Sequence, residues 1–136
     1  MRALAVWLLV LLAAHGALAG PPASIDTNAP QGGAEESFRA FARDWMAHVQ
    51  ARGERERANP RLTPGARGVI ATYREAGAGF ETELQATGHP ESPYVGVLRY
   101  TENVFNCSDL RATDCHAVSA VPVTEVFRLR DGHWVY

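Results

Sequence analysis

Apolar residues recur with one period in the first half of this 136-residue chain and with another after it. Phe38, Phe41, Trp45 and Val49 fall three and four apart, with Ala42 and Met46 beside them, which predicts a helix carrying one apolar stripe. Glu35 and Glu36 fall in its expected first turn, and Arg52, Arg55 and Arg57 near its end, the order that the helix dipole favours. Asn59-Pro60 stops it, and the alternating charges of residues 52–57 read as a solvated helix end. After Gly79 the period becomes two. Phe80, Thr82, Leu84 and Ala86 alternate with Glu81, Glu83 and Gln85, the pattern of a half-buried strand that ends at Gly88-His89-Pro90. Further strands are expected over residues 94–105 and from about Val121 to Arg130. Asp131-Gly132 predicts a two-residue hairpin turn that sets Leu129 opposite Trp134 and Phe127 opposite Tyr136. Residues 61–78 give no single assignment, because Thr63-Pro64 resembles a helix start while residues 69–73 are β-branched enough for a strand. The expectation is an α+β domain over residues 34–136, one long amphipathic helix packed on an antiparallel meander sheet.

The segment ahead of that domain decides the compartment. Arg2 precedes the apolar run of residues 3–14, and Ala17-Leu18-Ala19 supplies the small residues that signal peptidase requires, so residues 1–19 read as a secretory signal peptide. The run is broken by His15 and Gly16, too short for a membrane span, and no cysteine near the cleavage point offers a lipid anchor. Residues 20–33, rich in Gly and Pro with Ile25 as the one large apolar side chain, read as a flexible leader. A soluble periplasmic or secreted protein is therefore expected. Beyond the signal, 12 arginines stand against 15 acidic residues, a net −3 that argues against a phosphate-binding surface and a nucleic-acid partner.

Export in turn predicts that Cys107 and Cys115, the chain's two cysteines, form a disulfide across the polar stretch between them. Cys107, Cys115, His116 and Asp114 do not amount to a closed zinc shell, since no second Cys or His pair completes it, and neither metal nor cofactor is expected.

Counting by two along the strands yields one constellation with chemical content. Glu102 shares the apolar face of Tyr94, Leu98, Tyr100 and Val104, and Glu125 shares that of Val123, Phe127 and Leu129. Two carboxylates then point inward, with Tyr100 beside them. A buried carboxylate is costly unless paired or hydrogen-bonded, so such residues mark either a functional acid in a cavity or an edge site satisfied by water or by an arginine such as Arg99 or Arg128. A β-bulge near Thr101 or Thr124 would instead turn either glutamate outward. The chain holds no His-Glu-x-x-His, Gly-x-Ser-x-Gly, phosphate loop or dinucleotide fingerprint. His48, His89, His116 and His133 read as surface or boundary residues.

Residues 123–136, from Val123 through Asp131-Gly132-His133-Trp134 to Tyr136, resemble the last hairpin of cystatin-like and nuclear-transport-factor-2-like domains, in which a strand, a tight turn and a Gly-x-Trp strand close a curved sheet around a helix. The resemblance implies a cystatin-like helix-on-sheet arrangement. The glycine-led segment and Gln-x-Val-x-Gly loop of the inhibitory cystatins are missing, so protease inhibition is not implied. Two functions follow as expectations: an exported non-catalytic module that binds a protein, peptide or envelope component through the open face or edge of its sheet, or a nuclear-transport-factor-2-like pocket protein in which Glu102 or Glu125 is a general base and Tyr100 a hydrogen-bond donor.

Overall fold

The computed structural model describes residues 31–136; the expected signal peptide, and the leader up to residue 30, lie outside the described residues. Helix α1 (Gln31–Ala58) lies against a five-stranded antiparallel sheet made of β1 (Arg61–Gly65), β2 (Gly68–His89), β3 (Ser92–Cys107), β4 (Cys115–Arg130) and β5 (His133–Val135). The strands follow chain order across the sheet, a simple meander. The fold is α+β, as the two hydrophobic periods require.

Helix α1 begins three residues before the expected domain start at 34, so Gln31, Gly32 and Gly33 belong to the helix and not to a leader. That moves Glu35 and Glu36 out of the first turn, and Glu35 instead accepts a hydrogen bond from Arg39 one turn on, at 2.5 Å. The buried stripe is also rotated from the expected one. Its centre runs Ala34, Phe38, Ala42, Met46, Val49, Gly53, while Phe41 and Trp45 flank it half-buried. The small residues Ala34, Ala42 and Gly53 in that stripe let the helix axis approach the sheet, and larger rings fill the margins. The helix ends where expected: Asn59 donates its backbone N–H to the Arg55 carbonyl at 3.0 Å, and Pro60 holds the preceding residue out of the helical region.

The unassigned stretch 61–78 is strand. β1 pairs with the start of β2 around a tight turn in which Gly68 adopts φ 128°, a conformation closed to other residues. β2 continues through Gly77-Ala78-Gly79, where its register with β3 shifts between Ala76 and Phe80. Glycines there weaken the strand and give it a place to bend. The alternation on either side survives, because Thr82 faces Leu98 and Ala76 faces Glu102. At the chain end, Asp131 and Gly132 take φ of 48° and 75°, the signature of a type I′ turn, and Leu129 pairs with Trp134 as expected.

Phe38, Leu98, Phe127 and Leu129 are almost wholly buried at the roofed end. The Phe38 ring centroid lies 4.7 Å from that of Trp134, and the indole N–H of Trp134 donates to the Ser37 hydroxyl at 2.9 Å. Gly96 makes this possible: a Cβ there would stand 2.3 Å from the Phe38 ring. The 28 residues of α1 extend about 42 Å, whereas the 22 of β2 extend about 73 Å along the strand path. The sheet outruns its helix. Toward the end of β3, on the pleat opposite Glu102, a second cluster of Ala71, Tyr73, Cys107 and Ala112 forms around the Cys107–Cys115 disulfide, which joins directly paired residues of β3 and β4.

Candidate functional site

Between the last turns of α1 and the sheet beyond its bend lies an open-sided groove of about 1070 Å³. Its floor comes from β3 and β4. Pairing is regular at Thr101 with Pro122 and at Arg99 with Thr124, so no bulge intervenes there; the β3–β4 shift falls later, near Val118. Glu102 and Glu125 consequently keep the parity of their strands and face the helix side together with Tyr100. Tyr100 and Glu102 are buried, and Glu125 is half-buried.

Glu102 does not reach Arg99 or Arg128. Both expected partners sit on the opposite pleat, Arg99 three positions from Glu102 along β3 and Arg128 three positions from Glu125 along β4, and Arg99 is held there by Glu83 at 2.8 Å. The cations come from other elements. Arg52 Nη2 of α1 donates to Glu102 Oε1 at 2.5 Å, and Arg74 Nη1 of β2 stands 3.7 Å from Oε2. The helix end is solvated at Glu54, Arg55 and Arg57, as expected, but it docks on the sheet through Gly53. The Cα of that glycine lies so near β2 that a Cβ would sit 3.2 Å from the Arg74 carbonyl oxygen, which brings Arg52 within reach of β3. Glu56 on the next turn accepts a hydrogen bond from the Arg74 backbone N–H at 3.3 Å. The carboxylate of Glu102 is thus compensated on both oxygens, as a buried charge must be.

Tyr100 engages the second acid. Its hydroxyl donates to Glu125 Oε1 at 3.4 Å. Burial pushes the Tyr100 hydroxyl above its ordinary pKa, and the charges of Glu125 and Glu102 push the same way against an opposing Arg52. Tyr136 approaches Glu125 from the chain end. Its hydroxyl is raised chiefly by the hydrogen bond to that carboxylate, while its ring stacks on Trp45 at 6.2 Å. Glu125 has no ion pair with any cation among the described residues.

The strand rhythm brings Tyr100, Glu102 and Glu125 together and sets Tyr136 beside Phe127 on the same face, but Arg52 and Arg74 were not visible in it. The one available signal was Gly53, a glycine inside a helical segment that costs about 1 kcal/mol relative to alanine and marks a close approach. Among the described residues the four histidines are exposed, and no group of three His, Cys, Asp or Glu side chains is placed to hold a metal ion. No helix among the described residues is long and apolar enough to cross a membrane. No family model, curated protein or solved structure matches the chain.

Proposed function

We propose that the protein is an exported, non-catalytic binding module, and that the groove over Tyr100, Glu102 and Glu125 receives an extended ligand such as a peptide or an envelope component. The observation that carries this reading is the state of Glu102: a buried carboxylate already engaged by Arg52 and Arg74 is a structural anion and is ill-suited to take a proton from a substrate. The size of the groove supports it as well. About 1070 Å³ is at the upper limit of small-molecule sites, and an open side does not exclude water as acid–base chemistry on a small substrate requires. The lining combines Arg52, Arg61 and Arg74 with Glu56, Glu102 and Glu125, which suits a ligand of mixed charge. Export rests on the signal-like residues 1–19 and is supported by the Cys107–Cys115 disulfide. The cystatin-like character of the helix-on-meander arrangement belongs to the same proposal.

A second reading has one observation in its favour. Glu125, half-buried and without a cation, accepts from Tyr100 and would serve as a general base in a nuclear-transport-factor-2-like pocket. One experiment separates the two. Protein recovered from expression of the full chain is titrated, by amide NMR, with a set of short mixed-charge peptides and a matching set of small polar molecules. Saturable shifts at Arg52, Arg74, Tyr100 and Glu102 with a peptide that remains intact over a day support the binding module. Conversion of a small molecule, abolished by Glu125→Gln, supports the enzyme. Shifts confined to the outer pleat around Val97 and Val126 would remove the groove from both.

A further inference from the structure

A second hollow, of about 430 Å³, lies where the turn between β2 and β3 meets the last residues of β4. That volume is within the range of small-ligand sites. Arg128 and Arg130 form one wall; two positions apart on β4, they leave the strand on the same side, about 7 Å from one another. Val95, directly paired with Arg128, lies between them and the turn. Neither guanidinium has an ion pair or hydrogen bond among the described residues. Arg99, on the same pleat of β3, is by contrast neutralised by Glu83. Glu91 lines the hollow but forms no ion pair with either arginine.

The polar groups of the opposite wall are largely engaged with one another. Thr87 Oγ1 accepts from the His89 backbone N–H at 3.0 Å and donates to the Ser92 carbonyl at 2.5 Å. His89 Nδ1 accepts from the Glu91 backbone N–H at 3.3 Å, which leaves Nε2 as the donating nitrogen of that ring. Ser92 Oγ is shut off from solvent and has no hydrogen-bond partner, an arrangement that buried polar atoms avoid unless something else supplies one. Two unneutralised guanidinium groups and the His89 imidazole thus border one small space, and the residue that carries the orphaned hydroxyl is part of its lining.

We infer that this hollow is a second binding site, separate from the groove, for the carboxylate or phosphate group of a small soluble ligand, with Arg128 and Arg130 holding the anion and His89 supplying a further donor. Guanidinium groups match the planar fork of both oxyanions. The net negative charge of the chain weighs against a broad phosphate-binding surface but not against a local pair of arginines.

The test is an amide and arginine side-chain NMR titration of the protein from the full chain, with sodium phosphate in one arm and sodium acetate in the other, ionic strength being held constant with sodium chloride. Saturable shifts at Thr87, Ser92, Arg128 and Arg130 in either arm are expected, and Arg128→Gln/Arg130→Gln should bind that anion about tenfold or more weakly. Each single substitution, which loses one of the two cations, should weaken it about threefold and keeps the test open if the double variant does not fold. Shifts that stay linear to the highest concentration, an unchanged affinity in the variants, or shifts confined to Arg52 and Arg74 would overturn the site.

Discussion

The two ends of the sheet are closed by different physics. At the roofed end, Phe38, Leu98, Phe127 and Leu129 disappear beneath α1, and Phe41, Trp45 and Trp134 seal the margin. At the far end the smaller cluster around Tyr73 and Phe105 lies on the pleat opposite Glu102, where the helix contributes only Arg57 over the Tyr73 ring, and is held by the Cys107–Cys115 bond and a polar loop. There Asp109 accepts from the Thr113 and Asp114 backbone N–H groups and from the Thr113 hydroxyl, which fixes Ala112 at φ 54°. Burial of large apolar area suffices where a helix can reach; a covalent link and a turn network substitute where it cannot. The groove occupies the seam between these regimes, where the helix still overhangs the sheet but no longer fills the space below.

The largest effect should come from breaking the roofed end. Phe38→Ala removes a ring that is 1% exposed and touches Phe41, Phe127 and Trp134, and is expected to cost about 3–5 kcal/mol in urea unfolding. A cost below about 1 kcal/mol would mean that the helix does not carry this end. Replacing both cysteines by serine should cost about 2–3 kcal/mol, the chain-entropy value for so short a loop. If the ends differ as described, hydrogen exchange in that variant should rise at Ala71, Tyr73 and Phe105 while the amides of Leu98 and Phe127 stay protected.

The seam tests which partner of a half-buried ion pair matters. Arg52→Ala leaves the buried Glu102 with the more distant Arg74 alone, whereas Glu102→Gln leaves Arg52, whose side chain is half exposed, free to rehydrate. The arginine substitution should therefore be the more costly, by about 1 kcal/mol once screening of the exposed partner is allowed for; equal costs in thermal unfolding would argue that the pair is incidental. The smallest effect concerns acid stability. Hydrogen bonds from the Asp114 backbone and then the Thr113 hydroxyl lower the pKa of Asp109 below its ordinary 3.8. A depressed carboxylate contributes stability that is present above the unfolded value and is lost as pH falls through the folded one. Asp109→Asn should accordingly flatten the acid limb of the stability profile below about pH 4 and leave the neutral region comparatively unchanged.

Much of the fold was legible because its signals are local. The stripe from Phe38 to Val49 identified the helix, and the alternation through Leu98, Tyr100 and Glu102 placed a carboxylate on the core face before any contact was known. Asp131-Gly132 set the last hairpin register to the residue. Residues 61–78 were not legible, because a strand that bends through Gly77-Ala78-Gly79 next to a short edge strand with Pro64 shows neither clean period. The helix start and the rotation of its stripe were missed for a related reason: Ala34 and Gly53 carry little hydrophobic signal, yet their smallness is what permits contact.

Periodicity and turn chemistry concern residues a few positions apart, so the chain alone determined its helix, its alternating strands, its final turn and the inward parity of Glu102 and Glu125. Which arginines meet Glu102, where the groove opens and why one end needs a disulfide were decided only in three dimensions. Those outcomes depend on the crossing of a roughly 42 Å helix over a longer, bent sheet, and the distance between Arg52 and Glu102 across fifty residues of chain is a product of that crossing and of no local pattern.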